Sequence, residues 1–140
     1  MNKVQEAVVK SARALFRMFP VILGTILIVS LISVLIPKSF YLKVFTGNSF
    51  FDPLIGSLIG SVSAGTPLVS YILGGELLAQ GVSFLAVTAF LVAWVTVGII
   101  QLPAEMMILG KKFALLRNLI SFLLAIVVAI LVILLLEAIQ

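Results

Sequence analysis

The stretch Pro53–Ala79, PLIGSLIGSVSAGTPLVSYILGGELLA, decides the fold of this chain. As one α-helix it would run about 40 Å, longer than the roughly 30 Å hydrocarbon core of a bilayer. Its middle gathers small polar residues, a glycine and a proline: Ser61-Val62-Ser63-Ala64-Gly65-Thr66-Pro67. Proline has no backbone donor and clashes with the preceding turn. The residue before it is pushed out of helical geometry. The sequence therefore predicts two half-helices, about Pro53–Ser63 and Pro67–Ala79, each roughly half a bilayer long. Non-helical backbone at membrane depth is tolerated only where protein or water surrounds it.

The rest of the chain supports a membrane setting. Of 140 residues, 63% are hydrophobic and 10% charged, and the mean hydropathy is +1.36. Soluble domains carry about 25% charged residues, and a chain this small has too little interior to hide so much apolar surface. A soluble enzyme or a nucleic-acid partner is thereby set aside. With Cys and His both at 0, thiolate sites, disulfides and imidazole chemistry are unavailable. No phosphate loop, catalytic triad or carboxylate pair occurs, so neither an enzyme, a metal site nor a cofactor is expected.

Long charge-free runs lie between the charged clusters. They predict full spans at 18–36, 83–102 and 113–136 around the broken segment 53–79, all within one membrane domain, 1–140. Lys3, Glu6, Lys10, Arg13 and Arg17 recur every three or four residues, so 1–17 reads as an amphipathic helix on the membrane surface. The alternative is a solvated extension of the first span. Phe40, Tyr41, Phe45, Phe50 and Phe51 place the following connection at the headgroup level.

Two topologies fit this all-α integral membrane protein. The half-helices either turn back as a re-entrant pair, leaving three full spans, or cross as one broken span, giving four. With a re-entrant pair, Lys3, Lys10, Arg13, Arg17, Lys111, Lys112 and Arg117 share one side and Lys38 and Lys43 the other. With four spans the charges balance. Cytoplasmic loops attract Lys and Arg, so the re-entrant arrangement is preferred, with a multi-pass location in the cell membrane. Lys111, Lys112 and Arg117 are then expected to meet lipid phosphates.

Candidate residues cluster at the break and just after the third span. Ser61, Ser63, Gly65, Thr66, Pro67 and Ser70 supply hydroxyls and free backbone groups, which transporters use at broken helices. Glu105 follows Pro103 and reads either as a first-turn carboxylate favoured by the helix dipole or as a proton or cation acceptor. Gln101 lies one turn earlier. Gly56/Gly60 and Ser57/Ser61 form small-xxx-small pairs. Trp94 needs a partner for its indole N–H, with Thr88 or Thr96 the nearest in sequence.

The order Ser63-Ala64-Gly65-Thr66-Pro67, Gly74-Gly75-Glu76-Leu77-Leu78, Gly81-Val82-Ser83, Gln101-Leu102-Pro103-Ala104-Glu105 and Arg117-Asn118 resembles the predicted-permease family that includes the organoarsenical efflux permeases and the YraQ-like proteins. The likeness runs from about Pro20 to Glu137, and the chain resembles one half of a full-length member. Many members carry Cys-Ser-Cys at the break, where this chain has Ser61, Ser63 and Ala64. The resemblance implies a half-size permease for a small solute or ion, working as a homo-oligomer, dimer or larger, or with a second permease half in the lipid bilayer. The alternative is a non-transporting membrane scaffold or accessory subunit whose break is only a packed kink.

Overall fold

The computed structural model describes residues 2–140, and among them every regular element is helical. The order is α1 (Lys3–Leu35), α2 (Lys38–Val44), α3 (Phe51–Val62), α4 (Pro67–Ala79), α5 (Phe84–Thr96), α6 (Leu102–Leu109) and α7 (Lys111–Ile139). Two helices, α1 and α7, are long and apolar enough to cross a membrane.

Three results differ from the sequence reading. Residues 3–17 are not set apart as a separate helix: α1 runs unbroken for 33 residues through Pro20 into the first apolar run, as in the alternative of a helical extension of the first span. A lone proline removes one hydrogen bond and leaves the flanking turns intact, so a long helix can carry it. The expected span 83–102 is also not one helix. α5 stops after 13 residues, at Thr96, and α6 restarts at Leu102 with Pro103 in its first turn. The connection 38–52 carries a short helix, α2, of 7 residues.

Small residues set the direction of the central helices. A Cβ on Gly56 would stand 2.3 Å from the Ala86 carbonyl oxygen, and one on Gly60 2.4 Å from that of Phe90. α3 and α5 therefore touch backbone to backbone and run the same way. α4 runs oppositely: Gly65 faces Trp94, Gly74 faces Leu91 and Val87, and the Gln80–Ser83 turn leads into α5. The chain thus reverses at Ser63–Thr66, and α3 and α4 form a hairpin. Leu77, Val82, Ala86, Val87 and Phe45 pack together at its open end, with Ile55 of α3 against them. α7 lies antiparallel to α5 through Ala93, Val97, Ala125 and Phe122. α1 runs alongside α4 in the same direction, with Arg17 near Pro67 and Ser33 near Glu76. The basic first half of α1 and the α6–α7 corner consequently lie toward one end of the molecule, and α2 and the end of α7 toward the other.

The corner before α3 is held by Asp52. Its carboxylate is buried, at 1% exposure, and accepts the Thr46 and Gly47 N–H groups at 3.0 and 2.9 Å. Gly47 takes the positive φ, 79°, that this turn requires.

Two substitutions test these contacts. Gly56→Ala and Gly60→Ala should each destabilise the protein by about 1–3 kcal/mol, the scale of overpacking a tight contact. Gly75→Ala is the control, because nothing lies within 4 Å of its Cβ position; it should be neutral or slightly stabilising. Thermal unfolding in mild detergent reads the difference. Asp52→Ala should cost about 2 kcal/mol, on the scale of charge-assisted hydrogen bonds. Faster amide exchange at Thr46 and Gly47 would report it locally.

Candidate functional site

Two helix breaks meet at the tip of the α3–α4 hairpin. In the first, Ser63 and Thr66 are extended (ψ 147° and 155°), as the residue before a proline must be in the second case. Gly65 between them has φ +152°, a conformation that L side chains rarely adopt. The second break, Val97–Gln101, follows α5. Gly98 and Pro103 were its only signals in the sequence, masked by the apolar Ile99 and Ile100.

Long-range bonds tie the breaks together. The Trp94 indole N–H donates to the Gly65 carbonyl at 3.4 Å, and the Ile99 N–H to the Ser61 carbonyl at 3.4 Å. The partner of Trp94 is thus the broken backbone. Thr88 and Thr96 instead return their hydroxyls to their own helix, to Phe84 and Val92.

Between the breaks lies a cavity of about 260 Å³. Of the residues expected at the site, Ser63, Gly65, Pro67 and Gln101 line it, together with Trp94, Thr96 and Arg117. Ser61 and Ser70 do not. Both are buried, and their hydroxyls donate to Leu58 at 2.8 Å and Pro67 at 2.6 Å. Their hydroxyls are turned back onto their own helices rather than facing open space. Thr66 stands at the N-cap position of α4 without a hydrogen bond from its side chain to the helix, and lines an apolar groove between α1 and α4, which shares Pro67 with the cavity. Ala64–Leu68 are exposed, so the hairpin tip is open on this chain.

Glu105 does not line the cavity. One of its oxygens accepts from Arg117 Nη2 at 2.5 Å and the other from Asn118 Nδ2 at 3.0 Å. The carboxylate is therefore a fixed partner of two α7 side chains rather than a free acceptor. Arg117 is correspondingly drawn into this pair instead of standing free like its neighbours Lys111 and Lys112.

Asn118 is the residue that sequence reasoning missed, having entered only through the resemblance. It is 7% exposed. Its Oδ1 accepts the Gly98 N–H at 2.9 Å, and its Nδ2 donates to both Glu105 and the Ala114 carbonyl. One buried carboxamide thus caps the second break and locks it to α7. A sequence separation of 20 residues from Gly98 hides this role. Among the described residues, no group of three or more His, Cys, Asp or Glu could hold a metal ion.

Asn118→Leu keeps the approximate volume but orphans the Gly98 amide, at an expected cost of about 2 kcal/mol. Asn118→Asp keeps the acceptor yet sets a second carboxylate beside Glu105, so it should also destabilise, and more at neutral pH than in acid. Unfolding in detergent at two pH values separates them. Among protein-family models, curated proteins and solved structures, none matches this chain.

Proposed function

We propose that this chain is a half-size permease that assembles into an oligomer and moves a small solute or ion through the cavity at its two helix breaks. One observation carries the reading: both breaks, far apart in the chain, converge on one partly polar cavity. A packed kink has no need of a second kink facing it. Transporters commonly place their sites where half-helices end near the bilayer midplane.

The same reading gives the topology. α3, α4 and α5 are 12, 13 and 13 residues long, each about 20 Å and short of the roughly 30 Å core. The reversal at Ser63–Thr66 supports a re-entrant α3–α4 pair. α5 and α6 then cross as a third, interrupted span beside α1 and α7. Seven of the nine Lys/Arg residues fall on the side of the N-terminus, all but Lys38 and Lys43, which supports a cytoplasmic location for that side. The exposed tip favours an oligomer, because open backbone within a bilayer must be covered by protein or water. The Gly56/Gly60 face is already used against α5, so a partner would have to meet the tip or the outer helices.

The absence of native cysteine permits a direct test. Single cysteines at Ser63 and Gln101 should react with a water-soluble maleimide in membrane vesicles, whereas one at buried Ser70 should not. Gly65→Leu places a side chain where a Cβ already stands 3.1 Å from the Trp94 ring, in a strained backbone; it should cut labelling at Ser63 and Gln101 several-fold. Cysteines at Lys111 and Gln140 should label from opposite faces. Failure of Ser63 and Gln101 to label from either face, in correctly inserted protein, would reduce the breaks to packed kinks and favour the scaffold.

A further inference from the structure

We propose that the cavity between the breaks binds a small anion, a carboxylate- or oxyanion-sized group held by Arg117. The inference names the ligand class of the site described above and rests on that cavity being open to solvent.

The charges around the cavity point one way. Arg117 is the only formally charged residue in its lining, and no carboxylate lines it. The guanidinium side chain is 38% exposed and its partner Glu105 only 19%, so the cation is the more accessible member of the pair. Glu105 engages Nη2, while the buried Nε has no hydrogen-bond partner. A guanidinium carries five donors in a planar fork matched to carboxylates and oxyanions.

The other groups do not reverse this sign. α3 and α5 end at the cavity with their negative poles, and α4 and α6 begin there with their positive poles, so the helix dipoles largely offset one another. The hydroxyls of Ser63 and Thr96 are turned back on their own helices, donating to Ile59 and Val92. On the far side of Pro67, the groove between α1 and α4 contains a second arginine, Arg17, again with no carboxylate in its lining. The hairpin tip is therefore flanked by two arginines. A cation would find no counter-charge in either lining, whereas an anion meets the exposed side of the Arg117 guanidinium.

The chain carries its own probe, since Trp94 is its only tryptophan and lines the cavity. In purified protein in a neutral detergent, iodide should quench Trp94 fluorescence more strongly than caesium, by about threefold, the scale of a charge contact at a partly exposed site. Arg117→Gln should abolish the preference and Arg117→Lys should keep it. Lys112→Gln, an exposed lysine outside the lining, should leave it unchanged. Glu105→Gln, which frees the guanidinium, should increase it, and this variant carries the test if Arg117→Gln does not fold. Inorganic phosphate should protect Trp94 from iodide if a free anion fills the site. Protection by phosphatidylglycerol alone would assign the same chemistry to a lipid headgroup.

Equal quenching by iodide and caesium, a preference that survives Arg117→Gln, or protection by neither phosphate nor phosphatidylglycerol would overturn the anion assignment. Neutral acrylamide separates this from failure of the site itself. Acrylamide quenching without anion preference leaves the cavity and removes its ligand class. No quenching by acrylamide removes the open cavity on which both readings stand.

Discussion

The close approach of α3 to α5 is the contact on which the other features depend. Gly56 and Gly60 let two helix backbones meet with no side chain between them, and the carbonyls of Ala86 and Phe90 occupy the space a Cβ would take. Within a bilayer, where lipid tails are as apolar as the helices, such packing is a main source of helix association. It also fixes register. Once Gly60 sits on Phe90 and Trp94, the end of α3 and the end of α5 reach the same level. Both breaks then open into one space instead of two unrelated kinks.

The polar groups at this level divide into two kinds. Asn118, Ser61 and Ser70 are buried and spend their hydrogen bonds on broken backbone or helix ends. Asn118 holds the second break, because it satisfies the Gly98 amide, which would be costly to leave alone in apolar surroundings; the two serine hydroxyls satisfy themselves within their own helices. Gln101 and Arg117 instead line open space. Glu105 belongs to the first kind even though its charge suggests the second: its two oxygens hold Arg117 and Asn118 in place. A carboxylate with fixed partners acts by positioning what it touches.

The break at Ser63–Pro67 was legible in the sequence because glycine and proline act through local sterics, which a linear reading captures. The apolar runs of α1 and α7 were legible for the same reason. Val97–Gln101 was not, because Ile99 and Ile100 continue the hydrophobic run and the interruption is held by tertiary bonds to Ser61 and Asn118. Gly110, with φ 87° between α6 and α7, was an available sign of a break there, since glycine takes positive φ without the steric cost other residues bear. The turn at Gly110 separates α6 from α7 and brings Glu105 toward Arg117. The pairing of Asp52 with Thr46 and Gly47 lies within a few residues, but a single carboxylate among aromatic residues carries no spacing pattern that names its backbone partners. Which expected hydroxyls face the cavity depends on helix rotation, which small-residue spacing alone does not set.

On the proposed permease topology, the unequal helix lengths make bilayer thickness a variable for this molecule. α1 has 33 residues and α7 has 29, both more than the roughly 30 Å core requires, whereas the helices that end at the breaks fall short of it. Hydrophobic mismatch therefore acts in opposite directions on the two sets. A thicker bilayer accommodates the long helices with less tilt but buries the hairpin tip farther from water. A thinner one tilts the long helices and brings the tip nearer the aqueous boundary. Lipid chain length, acting through α1, which does not line the cavity, and α7, which lines it only through Arg117, thus sets how deeply the cavity is submerged.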